Sequence, residues 1–568
     1  MNQKSDIPRL LKSSAIRSQT DWLALLAGLW LLSMVASANA GDISGRLIQK
    51  IAVASDTAQL KVWIYFTDKD ESPQSYAKAS AAMTDRARRR RAHIPIDWFD
   101  LPVTVSYVDS LAALGGHDIH PAKWLNAVSV RLNKNQIAQA AGLSFVNKID
   151  PVETLVRKPI PETPFYEKPL GPLTNYGASY TQIHMLGVDS LHRAGLTGKG
   201  VLLAFLDTGY RIDHPSFDSL HIVFTYDFIH NKTTVDDQVD SSQTDHGTAC
   251  LSACGGFADG SLIGPAYKAD YILAKTEVVL SETRIEEDYW VRAADTADVL
   301  GADIISSSVG YTDWYTYADM NGHTAVTSIA AQIAAAHGIL VVVSAGNSGA
   351  DSWHYIDAPA DADSIIAVGA VDAGKVTADF SSWGPTYDGR IKPEMCAMGI
   401  SVYCASYIGG CTTKSGTSLA TPLIAGAAAL VLESDSTLRG NPMAIRERLL
   451  KSCDRYTQPD NHNGYGIPNL IVAAGLNSPV GRTSTHAFTY GPNPFSDSLV
   501  IRPSDSLLAA YKIEVFTIAG ELIFQKFESD RYYVWRGDNQ NGKKVASGAY
   551  IIRFSADGIQ EKVKVFKI

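Results

Sequence analysis

The sequence predicts an α/β fold with a doubly wound parallel sheet, preceded by a small α+β domain and followed by a C-terminal β-sandwich, on three observations. Short apolar runs at 201–206, 271–275, 304–307, 340–344 and 365–369 alternate with helical stretches such as 324–337, the pattern of a parallel sheet flanked by helices on both faces. Ahead of these, 61–66 and 127–132 alternate like half-buried strands and 133–141 reads as a helix. From about residue 485, short alternating strands separated by turn residues read as a sandwich.

The amino terminus carries Lys4, Arg9, Lys12 and Arg17, then an apolar run over 22–36, then Ala38-Asn39-Ala40 before Gly41. A basic region, a short apolar core and an Ala-x-Ala site predict a signal peptide over 1–40 and a secreted or cell-surface product, with an uncleaved anchor as the alternative. Residues 157–175 hold Pro159, Pro161, Pro164, Pro169 and Pro172 and read as an extended linker. The arginine-rich run 86–91 reads first as a solvated helix face, with a processing site or an electrostatic clamp as alternatives. With 568 residues, 46% hydrophobic and 19% charged, the chain has material for about three domains, and a net charge of −9 points away from nucleic acid.

The chemistry gathers at the ends of the predicted strands, where open α/β sheets keep their ligands. The run 201–206 delivers Asp207-Thr208-Gly209. Asp245-His246-Gly247-Thr248-Ala249 sets an imidazole at a helix start among small residues. The strand 340–344 ends in Ala345-Gly346-Asn347-Ser348-Gly349, which offers a side-chain amide. Gly416-Thr417-Ser418-Leu419-Ala420-Thr421-Pro422 opens an apolar helix with a serine in its first turn. A hydroxyl needs a base, the base needs a carboxylate, and a tetrahedral intermediate needs a donor. Ser418, His246, Asp207 and Asn347 meet those needs in turn. Singly, Ser418 is also a helix cap and Asn347 a turn residue.

Taken together, Asp-Thr-Gly, His-Gly-Thr, Ala-Gly-Asn and Gly-Thr-Ser-x-Ala-Thr-Pro in this order resemble the subtilisin-like serine peptidases (subtilases, peptidase family S8), over about residues 176–476. The resemblance implies a subtilisin-like fold, a secreted serine endopeptidase working through an acyl-enzyme on protein or peptide substrates, and no required cofactor. It makes 41–156 a propeptide that templates folding and inhibits the enzyme. It also implies that Ser308, Val309, Gly310 and Gly346 bind the substrate backbone, and that Ala358-Pro359-Ala360, with Asp357 before it, borders the primary specificity pocket. There Asp357 would favour Lys or Arg at P1, or else cap a turn or pair with a neighbouring base. An aspartic peptidase would need a second Asp-Thr-Gly, which the chain lacks; a non-catalytic subtilase-like surface binding protein is the other alternative.

Structural calcium, common in such enzymes, has Asp236, Asp237 and Asp240 as its candidate ligands, a cluster that also reads as solvated loop. Of the six cysteines, Cys404 and Cys411 are expected to bridge across a hairpin bending at Gly409-Gly410, while Cys250 and Cys254 read as buried thiols, with no zinc-type spacing. The C-terminal stretch 485–568, with Pro492-Asn493-Pro494-Phe495, the Ile518-Ala519-Gly520 turn and the last Lys-Val-x-Lys strand, resembles the sorting domain of the type IX secretion system of Bacteroidetes-like bacteria. That makes the secretion machinery a partner; a substrate- or glycan-binding sandwich is the alternative.

Overall fold

The computed structural model describes residues 41–152, 154–155, 176–237, 241–279, 282–476, 488–491, 495–503, 511–528, 532–556 and 559–567. The signal-peptide and linker expectations, Asp240 and the Pro-Asn-Pro segment lie outside them.

The first layer is a five-stranded sheet of β1 (Asp42–Ile43), β2 (Leu60–Phe66), β3 (His117–Ala122), β4 (Ala127–Leu132) and β5 (Val146–Pro151), in the order β1-β5-β2-β4-β3. Val62, Ile64, Val128, Val130 and Ile149 pack on the domain's own helices, among them Lys134–Ala141, which Asn133 and Gln136 cap reciprocally. The opposite face is not solvated, as the half-buried reading of 61–66 expected. Trp63, Trp124 and Ala127 join Trp290, Ala293 and Ala297 of the next domain in a single apolar cluster. Alternation survives, but both phases are buried. After β5 the chain continues into β6 (Thr154–Leu155).

The second domain is built on a parallel sheet of β7 (Leu202–Asp207), β8 (His221–Asp227), β11 (Asp270–Lys275), β13 (Ile304–Ser307), β14 (Leu340–Ser344), β15 (Ile366–Val371) and β16 (Met395–Met398). Its order is β16-β15-β14-β13-β7-β11-β8. Two small hairpins accompany it, β9 (Phe257–Ala258) with β10 (Leu262–Ile263), and β17 (Val402–Ala405) with β18 (Cys411–Lys414). The strands are apolar on both phases because both faces are covered. Leu203 and Phe205 point into one core with the helix Thr417–Ser434, and Leu202, Ala204 and Leu206 into the other with Trp290. Thr417–Ser434 is long and apolar enough to cross a membrane, yet 89% of it is buried here as the central helix of the domain. The short strand β12 (Glu282–Thr283) pairs antiparallel with β6, so the N-terminal domain leaves its chain end along this domain.

Two further sequence expectations are corrected. Cys404 and Cys411 do not bridge: the hairpin register sets Cys404 opposite Thr412 and Ala405 opposite Cys411, which turns the two side chains to opposite faces. The arginine run is a solvated face only in part: Arg88 and Arg89 are exposed, but Arg90 and Arg91 are buried against the second domain. Within the acidic loop, the buried Lys275 ammonium donates to Asp237 Oδ2 at 2.9 Å, a cation supplied by the chain itself beside a candidate calcium ligand.

The C-terminal unit, from Asn477, has two antiparallel sheets. One is β19 (Phe488–Gly491), β20 (Leu499–Pro503) and β23 (Tyr533–Trp535); the other is β22 (Leu522–Glu528), β21 (Tyr511–Thr517), β24 (Gly548–Ala556) and β25 (Ile559–Lys567). Phe488, Ile501 and Trp535 of the first share one core with Ile513, Val515, Ile552 and Phe554 of the second. Two sheets closed on a common apolar layer are a sandwich.

Candidate active site

Every predicted catalytic residue lies at the C-terminal edge of the parallel sheet or at the start of a helix facing it. Asp207 ends β7 and is 1% exposed. Its Oδ1 accepts the Thr208 N–H at 2.7 Å and His246 Nδ1–H at 2.6 Å, so a buried carboxylate is both held and matched to the imidazole. His246 is the second residue of the helix Asp245–Gly255. The next position must be glycine, because a Cβ on Gly247 would collide with the Gly209 carbonyl and come within 3.2 Å of Asp207 Oδ1. Burial works against a charged imidazole, but the Asp207 carboxylate outweighs it and holds His246 well above its ordinary value.

Ser418 sits in the first turn of Thr417–Ser434, where backbone N–H groups have no intrahelical acceptor. Its Oγ donates to the Ser308 carbonyl at 3.1 Å, so it must rotate before it can hand its proton to His246. Pro422 explains the opposite end of this residue. Lacking an N–H, it leaves the carbonyl of Ser418, four residues back, without its helical donor. Ser308 Oγ at 2.8 Å and Cys250 Sγ at 3.3 Å supply the missing bonds. Cys250 lies one turn after His246 with its sulfur 3.9 Å from the ring, and burial pushes its thiol up, so it packs there as a neutral group. The sequence reading of Cys250 as a plain buried thiol missed this bond; the signal was the proline four residues after the serine.

Asn347 follows β14, and its Oδ1 accepts from the Thr417 N–H at 2.9 Å and Thr417 Oγ1 at 3.0 Å. With the oxygen fixed, its Nδ2 is presented as a donor beside the Ser418 helix start. An oxyanion placed there would meet Nδ2 and the Ser418 N–H, an arrangement worth roughly 3 kcal/mol of barrier per donor.

The substrate-binding candidates fall around the same edge. Ser308 and Val309 continue β13, with Val309 turned into the core. Asp357 N donates to Ala345 O, and Tyr311 and Ala358 exchange backbone bonds, so residues 357–358 lie between the continuations of β13 and β14. The Asp357 carboxylate fills the slot between the two glycines. A Cβ on Gly310 would lie 2.9 Å from Asp357 Cβ, and one on Gly346 2.6 Å from its Cγ.

Residues 198–466 match the subtilase family (peptidase S8), and residues 61–164 match the peptidase S8 propeptide domain of Bacteroidota, a match that runs past residue 156 into the proline-rich stretch. The chain is 31% identical to serine protease AprX of Bacillus subtilis over 50% of this chain and 66% of AprX. It is 31% identical to subtilisin DY of Bacillus licheniformis over 51% of this chain and 97% of that protein. Similarity to the subtilisin-like protease SBT6.1 of Arabidopsis thaliana is 28% over 52% of this chain, but it spans only 28% of the plant protein.

Proposed function

Because the chain belongs to the subtilase family of serine proteases, we propose that it is a secreted serine endopeptidase in which Ser418 attacks the scissile carbonyl. His246 takes the serine proton and returns it to the leaving amine, Asp207 orients and stabilises the imidazolium, and Asn347 with the Ser418 N–H receives the oxyanion. The single observation that carries this reading is the 2.6 Å Asp207–His246 bond beside a serine at a helix mouth. The chemistry calls on no cofactor. A fluorophosphonate probe should phosphonylate Ser418 in the processed enzyme; a protein that folds, loses residues 41–156 and is not labelled would instead be the binding protein.

Residues 41–156 are read as the enzyme's own inhibitor. The pairing of β6 with β12 supports this, since it lays the end of that domain along the edge leading into the helix Ile285–Leu300. Asp357, lodged between Gly310 and Gly346, makes peptides with Arg or Lys at P1 the preferred substrates. With matched peptides, kcat/KM should favour Arg over Leu, and Asp357→Asn should erase the preference; an unchanged ratio would leave Asp357 a structural residue.

Export rests on the N-terminal basic, apolar and Ala-x-Ala pattern, and the C-terminal sandwich is read as the sorting signal for the secretion machinery. A chain ending near residue 476 should fold and cleave peptides but stay inside the cell envelope. Normal export of that truncation with loss of substrate binding would instead make the sandwich a binding module.

A further inference from the structure

The protease domain and the domain that covers it carry opposite charge. Residues 176–476 hold 17 Lys and Arg against 34 Asp and Glu, whereas residues 41–156 hold 14 against 12. The two meet along the helix Ile285–Leu300, where Asp288, Asp295 and Asp298 follow one another at intervals of seven and three residues and so line one face. Asp288 Oδ2 accepts from Ser129 Oγ at 2.6 Å, Asp295 pairs with Lys123 at 2.6 Å, and Asp298 takes Arg90 directly and Arg91 at 3.5 Å. Past the helix end, Arg86 reaches Asp303 at 2.7 Å and Asp270 at 3.4 Å. In each of these ion pairs the cation belongs to the N-terminal domain and the carboxylate to the protease.

Within the protease these carboxylates are unevenly provided for. Asp298 also has His337, whose Nδ1 is 2.7 Å away, Asp303 has Arg439 at 3.2 Å, and Asp270 has His221 at 2.7 Å. Among the described residues, Asp288 and Asp295 have no hydrogen-bond or ion-pair partner outside the N-terminal domain, and Asp288 Oδ1 is buried without a donor. Arg292, between them on the helix, reaches instead to Asn231 Oδ1 at 3.4 Å and lies over the Phe228 ring. Departure of the N-terminal domain therefore leaves two carboxylates without their partners, about 10 Å apart along one helix face, with Asp298 beyond them.

That face is aligned with the route a bound chain takes into the cleft. Leu155 of β6 pairs with Glu282 and Thr154 with Thr283, in antiparallel sense. A chain held this way has its N-terminal side over the start of the helix and its C-terminal side toward β11, whose last residue, Lys275, pairs with Asp207. Substrate residues well upstream of the scissile bond then pass Asp288 first and Asp295 next.

We propose that this face, once residues 41–156 have left, is a secondary docking site for cationic protein substrates, in which Lys or Arg residues N-terminal to the scissile bond take the places of Lys123 and Arg90. The inference rests on reading the chain as a protease whose residues 41–156 are removed. Lys and Arg fit because an ammonium and a guanidinium already occupy the face, and because their long stems carry the charge down to the helix from an extended chain. The site adds binding energy without touching the reacting atoms, so it lowers KM and leaves kcat alone. It acts separately from any selection at P1 by Asp357.

The test uses the processed enzyme, freed of residues 41–156, and two peptides identical around the scissile bond. One carries a run of lysines starting about six residues upstream; the other carries serines in the same places. At about 50 mM salt the lysine peptide should show a KM about tenfold lower at equal kcat, the scale of a few exposed ion pairs, and the gap should close at about 0.5 M salt. In the double variant Asp288→Asn/Asp295→Asn the gap should shrink to about threefold or less. Glu447→Gln, at a site exposed with the N-terminal domain in place, should leave the gap as it is. Each gap is measured within one enzyme, so a variant's own change in activity cancels, and Asp295→Asn alone, with a smaller loss, serves where the double variant does not fold. Equal KM values in the wild type, a gap that survives high salt, or one that survives the Asp variants and so belongs to net charge alone, would each overturn the proposal. Hydrolysis of neither peptide would overturn the catalytic reading, and the docking site with it.

Discussion

Ser418→Ala lowers kcat for peptide hydrolysis by about 10⁶-fold, the scale known for removing the nucleophile of the subtilisin triad, and leaves the chain uncut between the propeptide and the protease. The size of the effect follows from how completely the site is organised around one oxygen. The hydroxyl is set in a first helical turn, the carbonyl of the same residue is tied down by Ser308 and Cys250, and Asn347, the proposed oxyanion donor, is fixed to the Thr417 N–H at the same helix start. The Ala variant keeps those donors, so a residual rate above the uncatalysed one is expected, but no acyl-enzyme forms. Steady-state assays and mass spectrometry of the N-terminus check both parts. Self-cleavage by the variant at the wild-type rate would move the nucleophile elsewhere.

Asp207→Asn is expected to cost about 10⁴-fold in kcat with KM little changed. The amide is nearly isosteric, and the Thr208 N–H can still find an oxygen, so the fold should survive. What goes is the charge that holds His246 well above its ordinary value. The imidazolium formed during attack is then unsupported, and the acid limb of the kcat/KM profile moves to lower pH. A loss under about tenfold, with the limb unmoved, would show that the 2.6 Å bond is only structural.

The candidate catalytic residues could be picked out locally because Asp207 and Asn347 lie where an apolar run stops and small residues begin, and His246 and Ser418 lie at helix starts among small residues. What escaped was decided by strand register or by partners distant in sequence. The Cys404–Cys411 bridge failed on a register difference of one residue, which sequence spacing across a Gly-Gly bend does not specify. The arginine run looked solvated because composition describes a helix face and not what docks on it; Asp298 and His337 are more than two hundred residues away. Strand β2 looked half-buried for the same reason, since the layer covering Trp63 belongs to another domain.

The order of the parallel sheet bears on how the protease comes into being. No two adjacent strands form a local hairpin: Leu202 pairs with Asp270, Leu203 with Ile304, and Ile304 with Leu340. Chain entropy for closing such loops must be spent before the contacts reward it, so acquisition of this topology is intrinsically slow. The five-stranded sheet has an apolar core of its own and one local hairpin, β3 with β4, and it offers Trp63 and Trp124 as a surface for the helix carrying Trp290. Once that scaffold is cut away and lost, the barrier remains but the guide does not. The lifetime of the mature protease should then be governed by its unfolding rate, and a chain denatured after release should refold far more slowly than one still carrying residues 41–156.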